Sequence, residues 1–82
     1  MSDGNWKQAI DQDPIPPWAL RAALESLVSD GKVGNSPTSK GQTWLAGAVG
    51  VDPKTVRRWI AGSRALSGPA ARVVRMEIEE VM

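Results

Sequence analysis

Lys54, Arg57, Arg58 and Ala61 are the residues whose types and spacing suggest chemistry first. They fall in the run PKTVRRWIA. At about 100° per residue, Val56, Trp59 and Ile60 centre on one side of a helix. Lys54, Arg58 and Ala61 then centre on the opposite side, with Arg57 at its edge. An arginine fork can donate two hydrogen bonds to guanine O6 and N7, a lysine can do similar work, and an alanine methyl can pack on a thymine methyl. Basic helix faces are common, however, and most are simply solvated. The weight therefore rests on what surrounds this one.

The surroundings predict two short helices across a tight turn. The first spans Gln42–Val49, with Leu45, Ala48 and Val49 at i, i+3 and i+4 as its apolar face. Gly50 can take a positive φ and turn the chain, and Val51 follows as an apolar plug. Asp52 is a good N-cap and Pro53 a good first helical residue, so the second helix starts there. It runs to about Ala61, where Gly62 can stop it. Helix, tight turn and helix with these inward positions is the helix-turn-helix pattern, whose second helix lies in the DNA major groove.

The distribution of charge fits this reading better than its total. The formal net charge of the 82 residues is only +1. Yet residues 32–75 hold eight Lys/Arg and one acid, Asp52, while residues 1–31 and 76–82 are both acidic on balance. Positive charge is thus gathered around the two short helices, where neutralising phosphates would need it.

Residues 42–64 resemble the lambda-repressor-like (Cro/Xre-type) helix-turn-helix family. The resemblance lies in Gln42, Leu45, Ala46, Gly50, Val51, Thr55, Val56, Arg58, Trp59, Gly62 and Arg64. It extends more loosely to Gly68, Pro69, Ala70, Ala71 and Arg72. It implies a compact all-α domain of four to five helices with a central helix-turn-helix, binding double-stranded operator DNA as a homodimer. By position it implies base reading by Lys54 and Arg58, to which their neighbours Arg57 and Ala61 are added. It implies backbone contact at Gln42, joined by Lys40, Thr55 and Arg64. Two departures stand out. Pro53 replaces a base-reading polar residue, and Lys40 and Gly41 replace the capping residue before Gln42.

The remaining chain reads as support. Residues 1–16 form an N-terminal segment, and 17–82 the helix-turn-helix domain. Residues 1–5 are expected to fray, and 6–12 to make one helical turn capped by Asn5, with Trp6 and Ile10 at i, i+4. The DPIPP run at 13–17 cannot continue that turn. Pro17–Ser29 is the strongest plain helix, with Trp18, Leu20, Leu24, Leu27 and Val28 as its stripe. Residues 32–41 form an exposed, turn-rich loop from which Lys32 and Lys40 can approach phosphates. Ser67 or Gly68 caps a last helix whose apolar members are Ala70, Val73, Val74, Ile78 and Val81. Arg72 and Arg75 stand near its front and Glu77, Glu79 and Glu80 near its back, an order that opposes the helix dipole. The bases are expected to face DNA. Val74, Ile78 and Val81 are the expected dimer surface.

Several other classes are disfavoured. The chain has no Cys and no His, so no disulfide framework, metal site or cofactor is expected, and a reducing cytoplasm is compatible. It has no membrane-length apolar run, and its polar N-terminus is unlike a signal peptide. Its Ser residues lie in turns without a base, and no glycine-rich phosphate loop follows a strand, so catalysis is not expected. Three functions remain. The favoured one is a bacterial or phage transcriptional regulator, a repressor acting by operator occupancy since so short a chain leaves no room for a sensor domain. The alternatives are a DNA-packaging or recombination accessory subunit, and a protein-interaction module using Trp44 and the last helix.

Overall fold

Proline stands in the first turn of three of the five described helices, because its fixed φ suits a first helical turn and its missing N–H is not needed there. A computed structural model describes residues 6–33 and 41–82. Its helices are α1 (Trp6–Ala9), α2 (Pro17–Ser29), α3 (Gln42–Val49), α4 (Pro53–Ala61) and α5 (Gly68–Val81). The prolines lie in the first turns of α2, α4 and α5. Among the described residues the only non-helical pairing is an isolated antiparallel bridge between Ile15 and Leu66. The all-α expectation therefore holds. The expected bounds of α2, α3 and α4 are met, whereas α1 closes at Ala9, short of residue 12. The expectations for residues 1–5, including the Asn5 cap, and for 34–40, including Lys40, fall outside the described residues.

One apolar core joins the five described helices. Trp6 and Ala9 of α1 meet Leu20, Leu24 and Leu27 of α2, with Leu45 of α3, Val56 and Trp59 of α4, and Val74 and Ile78 of α5. The radius of gyration is 11.2 Å, close to the roughly 12 Å expected of a compact chain this long. No described helix is long and apolar enough to cross a membrane.

Three inward assignments differ from expectation. Trp18 is 47% exposed. At about 100° per residue it points away from the face of Ala19, Leu20, Ala23, Leu24 and Leu27, so its size does not bring it inside. In α3 the buried pair is Leu45 and Ala46, while Ala48 and Val49 are half-buried. In α5, Ala71, Val74 and Ile78 are each 0% exposed. Val74 and Ile78 therefore cannot meet a second copy, and Val81 is half-buried against the same core. The expected dimer surface is the inner face of α5.

The N-terminal segment is not separate from the rest. Trp6, Ala9, Ile10 and Ile15 belong to the common core, so residue 16 marks no packing boundary. Polar contacts fasten the segment over long sequence distances. The Ile15 N–H donates to the Leu66 carbonyl at 2.8 Å. Asp13 Oδ1 accepts from the Gly68 N–H at 3.2 Å. The Ser67 side chain makes no capping bond, so the carboxylate that serves the start of α5 comes from 55 residues away. A negative group is favourable at that end of a helix.

Arg75 is the third fastening. Its Nε donates to the Ile10 carbonyl, and its Nη2 to the Gln12 carbonyl at 2.6 Å. The guanidinium is thus spent on two backbone oxygens, and the expectation that Arg75 faces DNA is corrected; Arg72 is exposed. Arg75→Ala should lower stability by about 2–3 kcal/mol, because charge-assisted hydrogen bonds contribute about 1.5–3 kcal/mol and this group is partly exposed. Chemical unfolding checks this. A wild-type midpoint in the variant would show that the Arg75 guanidinium does not help to fasten the segment.

Candidate nucleic-acid interface

The basic face is built by α4, and local chemistry fixes both of its ends. Asp52 has extended backbone, and its Oδ1 accepts from the Lys54 N–H at 3.0 Å. The one acid among residues 32–75 is therefore engaged in capping. At the other end the Gly62 N–H donates to the Trp59 carbonyl, while the N–H groups of Ser63 and Arg64 both return to the Arg58 carbonyl. That last turn draws the Arg64 backbone back onto the helix and leaves its side chain exposed.

Burial divides α4 as its periodicity predicts. Val56 is 0% and Trp59 4% exposed, and Ile60 is half-buried against the core. Lys54, Arg57, Arg58 and Ala61 are all exposed. Thr55 is half-buried at the flank. Two donor-rich arginines and a lysine are thus held on one short rigid helix, anchored behind by an indole and a valine. Such a face can donate to phosphates and to base edges.

α3 reaches α4 across Gly50, Val51 and Asp52. Gly50 has φ 85° with open space around its α-carbon, so its need for glycine is conformational. Another residue there would cost roughly 1–2 kcal/mol in backbone strain. Gly41 has a different reason. It too has φ 85°, but a β-carbon would also come within 3.3 Å of Val28 Cγ2 and 3.4 Å of Leu24 Cδ2. Glycine lets the start of α3 lie directly on α2, which accounts for the loss of an ordinary capping side chain. Among the described residues no side chain caps α3.

Gln42, the first residue of α3, is half-buried and lines a shallow groove with Arg21, Leu24, Glu25 and Ile60. The groove brings the start of α3 beside α2 and α4. It also adds Arg21, an exposed cation that the apolar stripe of α2 does not single out. Its one sequence signal is that it is the only base in that helix. Glu25 on the same wall keeps the groove from being wholly basic. Of the expected contact residues, Lys54, Arg57, Arg58 and Ala61 share α4, Thr55 flanks them, Arg64 follows the same helix and Gln42 lines the groove together with Ile60. Lys40 is outside the described residues.

Compared with protein-family models, curated proteins and solved structures, the chain matches none.

Proposed function

We propose that this chain is a sequence-selective binder of double-stranded DNA that regulates transcription, as a repressor occupying its operator. The observation that carries the reading is the division of α4 into a buried Val56–Trp59 side and an exposed Lys54, Arg57, Arg58 and Ala61 side. The preceding α3, the turn at Gly50 and the excess of bases over residues 32–75 support it, as does the resemblance of 42–64 to the lambda-repressor-like helix-turn-helix family. In this reading α4 lies in the major groove. Lys54, Arg57 and Arg58 meet base edges and Ala61 a thymine methyl. Gln42, Thr55 and Arg64 hold the backbone, the first with help from the N–H groups of a helix start. One such helix reads only a few base pairs, so two copies act on a two-fold site with half-sites about one helical turn apart.

Selection of binding sites from random duplexes tests this. A regulator should enrich one motif and bind it at least about 10³-fold more tightly than random DNA. Gln42→Ala and Arg64→Ala should weaken all duplexes about equally, because phosphate contacts carry no sequence information. Equal affinity of the wild-type chain for every duplex would instead favour a packaging or accessory role, and a changed motif for Arg64→Ala would remove it from the backbone set.

A further inference from the structure

The exposed side of α4 has a composition that its packing does not require. Its exposed side chains are Pro53, Lys54, Arg57, Arg58 and Ala61. Three are cations and two are apolar, with no amide, hydroxyl or carboxylate among them. Thr55, which carries the one hydroxyl of the helix, is half-buried at the flank.

That composition sorts the bases. In the major groove guanine presents two acceptors, O6 and N7. Adenine pairs one acceptor with an amino donor, and cytosine shows an amino donor. Lysine and arginine side chains only donate hydrogen bonds. They therefore match guanine and meet the amino groups of adenine and cytosine donor against donor. Direct reading of adenine takes Asn or Gln, and of cytosine Asp or Glu. The exposed side of α4 has none of these. The acid just before it, Asp52, is held at the helix start, where its Oδ1 accepts from the Lys54 N–H at 3.0 Å.

Angles on the helix decide which cations point at base edges. At about 100° per residue Lys54 and Ala61 lie in the middle of the exposed side. Arg58 stands about 40° from Lys54 on one flank and Arg57 about 60° on the other. The middle of that side faces base edges when the helix lies in the groove, and its margins face phosphates. Lys54 and Ala61 are separated by about 10 Å along the helix axis, roughly three base-pair steps.

We propose that the duplex selected by this face is defined by guanine. Each half-site presents a pair of guanines within about three successive base pairs, read at O6 and N7 by Lys54 and Arg58. A thymine methyl lies at the Ala61 end, and no adenine is read directly by α4. The proposal rests on the DNA-binding reading above and names the base chemistry that this surface takes.

The test compares analogues of the duplex enriched from a random pool. Replacing its guanines by 7-deazaguanine removes N7 and keeps Watson–Crick pairing. Affinity measured by anisotropy should fall about 5- to 150-fold for each guanine so replaced at a contacted position. Replacing its adenines by 7-deazaadenine should change affinity by less than about twofold, because α4 carries no side chain that pairs with adenine. In Arg58→Ala, shown by circular dichroism to be folded, 7-deazaguanine at one of the contacted positions should no longer weaken binding. An enriched motif without guanine, or undiminished affinity for the 7-deazaguanine duplex, would overturn the proposal and leave DNA binding standing. So would a 7-deazaadenine effect as large as that of 7-deazaguanine, an Arg58→Ala variant still sensitive at every guanine, or binding to all duplexes with no motif enriched. Failure to bind any duplex would remove the DNA-binding reading itself, and this proposal with it.

Discussion

Arg58→Ala should weaken binding to the preferred duplex by about 1–3 kcal/mol, roughly 5- to 150-fold, and relax the choice at one base pair. Arg58 is exposed on the outer side of α4, with its backbone carbonyl holding the turn at Ser63 and Arg64. The substitution keeps that carbonyl and removes only the guanidinium, so the helix should persist and stability should stay within about 0.5 kcal/mol of wild type. A filter-binding or anisotropy titration against the preferred site and a one-base variant gives both numbers. Undiminished discrimination between the two duplexes would remove Arg58 from base reading and leave it a phosphate contact at most.

Trp59→Ala, one residue along, should do the reverse. Trp59 is 4% exposed and sits in the common core. Truncating a buried Trp or Phe costs about 3–5 kcal/mol. A domain of this length has only roughly 4–12 kcal/mol of stability in total. The variant should therefore be marginally folded, and it should lose DNA binding only to the extent that it unfolds. Urea unfolding followed by the remaining tryptophans reads the first effect. A binding titration at low temperature, where the folded fraction is larger, reads the second. A wild-type midpoint combined with lost affinity would put the indole on DNA instead of in the core.

The contrast between these neighbours shows why α4 was legible from sequence. Its cap at Asp52, its proline, its stop at Gly62 and its two faces are all decided within eleven residues, and helical periodicity reports such local decisions directly. The fastening of residues 10–15 is decided elsewhere. Asp13 meets Gly68 across 55 positions and Arg75 meets Ile10 across 65, and no local pattern marks either pair. Arg75 looked like Arg72 for that reason, although one is engaged with backbone carbonyls and the other is exposed. The inner side of α5 was misassigned on related grounds. Its periodicity identifies Val74 and Ile78 as a face, but not which neighbour covers that face. Trp18 differs for another reason: its angle on the helix points outward, and an apolar residue type does not override that angle.

The exposed side of α4 is proposed as the surface that meets duplex DNA. The most direct measurement is the change in backbone and side-chain amide resonances as the selected duplex is added at about 50 mM salt, where phosphate contacts are strongest. The largest changes are expected at Lys54, Arg57, Arg58 and Ala61, with a second group at Gln42 and Arg64 and little change on α1. Changes centred on another face, or none at that salt concentration, would contradict it.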